Sequence, residues 1–259
     1  MADRCPIIFI GAGPGDPELI TVKGMKALSR AEVVLYAGSL VSPAVVAWAP
    51  LEAERVDTAP LTLEDIVARL IAAHRAGKRV VRLHSGDTSL FSALQEQLEL
   101  LDQEGIPFEV IPGVTAAAAA AAALAQELTL PEVSQTVILT RAAGRTPVPE
   151  GENLPSLAAH GATLVIYLSI RLLEQVAAEL AEHYGPEAPV VVAYRVSWPE
   201  ARFIRGTLRD IAARVRDAGI SRQALIMVGP ALAAWEGRLK ARSRLYDKTF
   251  AHGWRDAAP

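Results

Sequence analysis

Short runs of apolar residues alternate along the chain with longer stretches whose apolar positions recur every three or four residues. The short runs, residues 6–10, 32–36, 79–84, 108–111, 136–140, 163–168, 189–194 and 224–228, are rich in Val and Ile and predict strands. Between them, residues 21–29, 63–75, 89–101, 114–125, 172–183 and 208–217 predict helices. Within the second of these, Leu63, Ile66, Val67, Leu70 and Ile71 keep the spacing that lays one apolar stripe along a helix. Strands apolar throughout, alternating with helices, predict βαβ units and a mostly parallel sheet covered on both faces. Eight strands fit one sheet or two lobes. The Pro112-Gly113 break, followed by eight consecutive alanines at 116–123, predicts a hinge near the middle. Residues 144–155, rich in Pro, Gly and Glu, predict a surface loop.

Composition removes several classes. A chain that is 51% hydrophobic with a net charge of −3 is not disordered and lacks the basic footprint of a general nucleic-acid binder. The single cysteine, Cys5, excludes an internal disulfide framework and a Cys-cluster metal site. The longest uncharged stretch, residues 33–51, contains Pro43 and Pro50 and fits a strand, turn and short helix better than a membrane span. Residues 7–10 are too short an apolar run for an export signal, so the cytoplasm is the expected compartment.

Candidate chemistry gathers where predicted strands end. The first strand runs into Gly11-Ala12-Gly13-Pro14-Gly15-Asp16. A dinucleotide fingerprint would carry glycine where Asp16 stands, Pro14 removes a backbone donor, and no Lys-Ser/Thr follows. Phosphate binding is therefore disfavoured, while close approach of a ligand to the backbone is not. The loop is either a tight turn or one wall of the crevice that open α/β sheets form at strand carboxyl ends. His84-Ser85-Gly86-Asp87 closes another strand, and Asp87 could cap the next helix or accept from a ligand; spacing favours the cap. Thr115 brings a hydroxyl to the start of the alanine helix, which could pack on a neighbour or a flat ligand. Zincin, nucleophile-elbow and Cys–His arrangements are missing, and no metal is expected. His84 is the one histidine at a strand end, able to reach a substrate carboxylate or a neighbouring loop.

The ordered set GAGPGDPELITVKGMKAL, HSGDTSLFSAL, VIPGVTAAAAAAAALAQELTLP, SQTVILTR, LVIYLS and RGTLRDIA resembles the tetrapyrrole (uroporphyrin-III C / corrin / porphyrin) methyltransferase family over nearly the whole chain. Ser85-Gly86-Asp87, where the sirohaem branch usually begins Gly-Gly-Asp, points to the corrin branch, as do VVLYAGSLVSP and VVVAYRVSWPEARFIRGTL.

The resemblance implies two α/β lobes, residues 1–114 and 115–259, with the active-site cleft between them. It implies S-adenosylmethionine as methyl donor, a tetrapyrrole as substrate and a homodimer, with no nucleic-acid or membrane partner. Donor contacts carried over by family position are Pro14, Ser85, Gly86, Asp87, Leu90, Thr115, Ala116 and Leu168, with Val196, Met227 and Gly229 in less certain register. The macrocycle would border Gly11, Gly13, Gly15 and Asp16, and its carboxylates call for basic partners. Arg82, His84, Arg141 and Arg195 are the first candidates, with Lys23, Arg145, Arg202 and Arg205 behind them. The basic stretch 240–248 could also reach the site but reads more readily as a solvated tail. Asp16 and His84 are the only catalytic candidates, because a preactivated methyl asks for positioning instead of a nucleophile. Within the family, the alternative is a methylase acting on a cobalt-bearing ring or on another tetrapyrrole. Beyond it stand an RNA or diphthine-type methylase of the same superfamily and a tetrapyrrole-binding protein without turnover. Of these last two, the first would favour a basic face, and the second predicts binding without methyl transfer.

Overall fold

The computed structural model describes residues 5–233 and 243–256. The described residues form ten strands in two five-stranded sheets, each within its own compact unit. One unit comprises the described residues up to Ala120 together with Arg195–Ala201; the other comprises Ala121–Tyr194 and the described residues from Arg202 onward. In place of a single cut after residue 114, the division falls inside the alanine helix, and residues 195–201 return to the first unit. Lys240, Ala241 and Arg242 of the basic stretch lie outside the described residues.

The first unit holds β1 (Ile7–Gly11), β2 (Val33–Tyr36), β3 (Glu54–Asp57), β4 (Val80–His84) and β5 (Phe108–Ile111) in the order β3-β2-β4-β1-β5, all parallel. Alternate strand residues serve opposite faces. Ile7, Phe9, Val33 and Leu35 pack with Leu70 of α3 (Leu63–Arg75) and Leu101 of α4 (Leu94–Gln103). Ile10, Val34, Leu83 and Ile111 pack with Leu28 of α1 (Val22–Leu28) and Val45 of α2 (Pro43–Val46). This sandwiching is why these strands read as continuous apolar runs. The Thr62 and Asp65 side chains cap the start of α3 reciprocally. Helix α4 begins five residues later than its sequence pattern, because Phe91 and Ala93 adopt left-handed backbone angles with φ of 50°. The alanine run forms α5 (Ala116–Ala123).

The second unit holds β6 (Val137–Arg141), β7 (Thr163–Tyr167), β8 (Pro189–Tyr194), β9 (Arg202–Thr207) and β10 (Ala224–Val228) in the order β6-β7-β10-β8-β9. Leu164, Ile166, Val190, Val192, Ile226 and Val228 pack with Val176 and Leu180 of α7 (Leu173–Tyr184) and with Ile211 and Val215 of α8 (Ile211–Asp217). The short α6 (Leu154–Ala158) joins the same core.

The α/β class holds. Two expectations need correction. Only β6 and β7 pair in parallel in this sheet; β7–β10, β10–β8 and β8–β9 are antiparallel, so the mostly parallel reading fails in the second unit. Strands β3 and β9 carry no apolar run: both lie at a sheet edge, as β5 and β6 do, but in β3 Glu54, Arg55 and Asp57 and in β9 Arg202 and Arg205 are exposed polar residues.

Candidate active site

Strands β4, β1 and β5 are adjacent and parallel, so their three following loops emerge side by side. Register pairs Gly11 with His84 and Ile10 with Ile111, which brings the loops out at one level. They are then stitched together. Ala12 N–H donates to the His84 carbonyl at 2.7 Å, Gly13 N–H to the Gly86 carbonyl at 3.1 Å, and Gly86 N–H to the Gly13 carbonyl at 2.8 Å. A Cβ on Gly11 would lie 2.5 Å from the Gly113 nitrogen, and one on Gly113 would lie 2.3 Å from the Gly86 carbonyl oxygen. Glycine at these positions is therefore a packing requirement: three backbones meet where side chains cannot fit.

Asp87 fastens the same seam. One carboxylate oxygen accepts the Gly113 N–H at 2.7 Å, and the other accepts the Ser89 N–H at 2.9 Å and the Ser89 hydroxyl. Burial opposes ionisation of Asp87, but these hydrogen bonds and one from the Thr88 backbone outweigh it and hold its carboxyl below the usual range. Asp87 thus caps the turn after β4 and anchors the turn after β5. Ser85, Leu90, Thr115 and Ala116 lie half-buried around this seam, and a Cβ on Gly86 would meet nothing closer than 3.9 Å.

The glycine loop is held from its other side by residues 195–201. The Asp16 N–H donates to Ser197 Oγ at 2.9 Å, and Trp198 Nε1 donates to the Pro14 carbonyl at 2.8 Å. The Asp16 carboxylate accepts the Glu18 N–H at 2.9 Å and caps the short turn Pro17–Leu19, a structural use for a residue expected as a catalytic candidate. Arg195 lies with its guanidinium 4.9 Å from the Trp198 ring centre and 3.7 Å from Glu200, and Val196 is buried beside it. Neither Ser197 nor Trp198 is among the expected site residues. Their sequence signals are an indole and a hydroxyl before Pro199 and their place in VVVAYRVSWPEARFIRGTL, which marks the branch but gives neither side chain a role.

Two expected carboxylate partners face the wrong way. Arg82, only 6% exposed, donates to Thr58 Oγ1 at 3.1 Å and to Gln97 Oε1 at 3.3 Å, and burial lowers its pKa to about 10. His84, 4% exposed, stacks on Phe9 with ring centres 5.8 Å apart. Burial first, and the neighbouring Arg82 charge second, push His84 down to about 3 against a weaker opposing bond to the Ser92 backbone. It is neutral at pH 7 and cannot serve as a cationic partner for a ring carboxylate. Its catalytic candidacy fails on the same burial. Both side chains point into the layer between the sheet and α4.

In the second unit, Arg141 and Leu168 stand at the carboxyl ends of neighbouring parallel strands, Arg141 opposite Tyr167 in register. The Arg141 guanidinium donates to the carbonyls of Ala142, Thr146 and Pro147 at 3.3, 3.1 and 2.5 Å, so it organises its own loop. Leu168 is 71% exposed and left-handed, with φ of 56°, an apolar side chain held out on strained backbone. Met227 and Gly229 do not join them. Met227 is fully buried in the middle of β10, and Gly229 packs against Thr163 at the start of β7. Because β10 runs antiparallel to β7, its carboxyl end lies at the opposite sheet edge from Leu168. The remaining basic candidates are peripheral: Lys23 pairs with Glu109, Arg202 stacks on Tyr194 and donates to the Ala218 carbonyl, and Arg145 and Arg205 are exposed.

Among the described residues, no group of three or more His, Cys, Asp or Glu side chains could hold a metal ion, and no helix is long and apolar enough to cross a membrane. A family model of the tetrapyrrole (corrin/porphyrin) methylases matches residues 6–212. The chain belongs to this family.

This methylase is 52% identical over 249 residues to a precorrin-4 C(11)-methyltransferase of Pseudomonas aeruginosa, covering 96% of this chain and 98% of that one. It also matches the solved structure of a cobalt precorrin-4 methyltransferase, a cobalamin biosynthetic enzyme. That match has a TM-score of 0.85 at 48% identity and covers 88% of this chain and 95% of the other. A uroporphyrin-III C-methyltransferase from Thermus thermophilus, solved in complex with S-adenyl homocysteine, matches with a TM-score of 0.71 at 28% identity, covering 92% and 96%.

Proposed function

We propose that the chain is an S-adenosylmethionine-dependent C-methyltransferase that adds a methyl group to C11 of precorrin-4, giving precorrin-5 in cobalamin biosynthesis. The glycine seam carries the chemical part of this reading. Three loop backbones meet at the carboxyl edge of a parallel sheet, with Ser85 and Thr115 half-buried around them, and that suits a reaction needing placement more than a nucleophile. The choice of ring carbon is supported by the names of the relatives, one at 52% identity.

The residues fit the donor. Ser85 and Thr115 would stand at the amino-acid moiety, Gly86 would present its backbone there, and Leu168, on the second unit, carries an exposed apolar side chain suited to a flat base. Arg82, the nearest buried cation on β4, is turned to Thr58 and Gln97, which keeps its charge off a sulfonium. Pro14, Ala116, Leu90 and Val196 complete the proposed donor set, and Asp87 acts by holding Gly113. When bound, the sulfonium supplies a methyl group already activated for transfer. The work left to the chain is to hold the reacting carbon about 3 Å from that methyl and in line with it, which contributes on the order of 7–11 kcal/mol. Gly11, Gly13, Gly15 and Asp16 would border the ring, and Arg195 is the best placed partner for its carboxylates.

The test is incubation with precorrin-4 and methyl-labelled donor, with cobalt-precorrin-4 in parallel. One labelled methyl at C11, located by NMR, is expected; label at another carbon, or none with either ring, overturns the reading. We also propose a cytoplasmic homodimer, the dimer being what the family resemblance implies. Sedimentation is expected to give twice the 27.6 kDa chain mass.

A further inference from the structure

We infer that Trp198 is a positioning residue for the ring substrate, acting through the Gly13–Asp16 turn. The inference rests on the tetrapyrrole-methylating reading of this site. Its warrant is the way two loops hold one another. A Cβ on Gly15 would lie 2.2 Å from Trp198 Cδ1 and 2.3 Å from Nε1, so the indole rests directly on the glycine backbone. On either side of that contact, Trp198 Nε1 bonds the Pro14 carbonyl at 2.8 Å and Ser197 Oγ takes the Asp16 N–H at 2.9 Å. The turn is thus held at three consecutive residues by two.

The holding segment is itself strained. Arg195 and Ser197 have φ of 45° and 64°, and left-handed backbone at non-glycine residues persists only where the surroundings enforce it. Arg195 reinforces the arrangement, its guanidinium 4.9 Å from the indole centre. Two left-handed residues in three, spent on seating one indole against one glycine, point to a turn whose exact height over the sheet matters. That turn borders the place proposed for the ring, whereas the turns after β4 and β5 carry most of the proposed donor contacts. Loss of Trp198 should therefore weigh unequally on the two ligands: ring binding weakens strongly, and donor binding, which has only Pro14 in this turn, weakens less.

The experiment is a double-mutant cycle of Gly15→Ala and Trp198→Ala, with Trp198→Phe as a milder variant whose folding is checked by circular dichroism. Uroporphyrin III serves as the carboxylate-rich ring probe by fluorescence anisotropy, and S-adenosylhomocysteine as the donor probe by calorimetry. Trp198→Ala is expected to weaken ring binding at least tenfold with a clearly smaller loss of donor affinity, because Pro14 is the one proposed donor contact in the held turn. Trp198→Phe, which keeps an aromatic face but loses the bond to Pro14, is expected to fall between. Gly15→Ala alone should match Trp198→Ala, and adding it to Trp198→Ala should cost nothing more, because the indole it collides with is gone. Additive effects, or parallel loss of donor and ring affinity, overturn the inference. Failure of the wild-type protein to bind the ring would instead sink the reading on which it rests.

Discussion

His84 illustrates how burial redefines a residue that a sequence motif advertises. At a strand end beside Ser85-Gly86-Asp87 it reads as a substrate contact, yet its ring is stacked on Phe9 and its pKa is pushed down to about 3. The depressed value favours the neutral form in the folded state. Its contribution is fully present above about pH 6.5 and is lost as pH falls towards 3. Between pH 7 and 5 the unfolded chain takes up a proton that the folded one refuses, which removes about 2 kcal/mol. Chemical denaturation of wild type and His84→Gln at the two pH values is expected to show this difference in wild type and its loss in the variant. An equal pH dependence in both would mean that His84 titrates normally. Asp87 behaves in the opposite sense to a catalytic acid, since both its oxygens are committed to holding turns.

At the scale of elements, the site is the joint made by the ends of β1, β4 and β5. Gly113 is its tightest point, with backbone on two sides. Gly113→Ala forces an overlap that only backbone movement can relieve, at a cost of about 1–3 kcal/mol, typical of overpacking. The expected result is a lower melting temperature and at least tenfold weaker S-adenosylhomocysteine binding by calorimetry; unchanged affinity would place the donor away from the seam. The second unit shows how strand direction governs such joints. Arg141 and Leu168 share an edge because β6 and β7 are parallel, while Gly229 is sent to the far edge because β10 runs the other way.

For the whole molecule, charge speaks against the RNA-methylating alternative. A chain with 26 basic and 29 acidic residues has no net attraction for a polyanion. Purified protein incubated with ribosomal RNA and labelled donor is expected to transfer no methyl, whereas incorporation into RNA would reverse the substrate assignment. The two units also differ in how their chain is used. The second is interrupted by residues 195–201, which belong with the first, so the glycine loop depends on residues about 180 positions away, as the Asp16–Ser197 bond spans 181.

What the sequence by itself determined was whatever is written in neighbouring residues. The apolar runs 6–10, 79–84 and 163–168 marked their strands, Leu63–Arg75 marked its helix, and the ordered glycine motifs marked the family, because burial on both faces and tight turns leave local signatures. Tertiary structure decided the rest. It gave β3 and β9 their edges, reversed β10, turned Arg82 and His84 inward, and brought Ser197 and Trp198 onto Pro14, Gly15 and Asp16. The physical reason is the same in each case. Strand direction, edge position and long-range contact depend on which surfaces meet after the chain collapses, and no short stretch of residues carries that information.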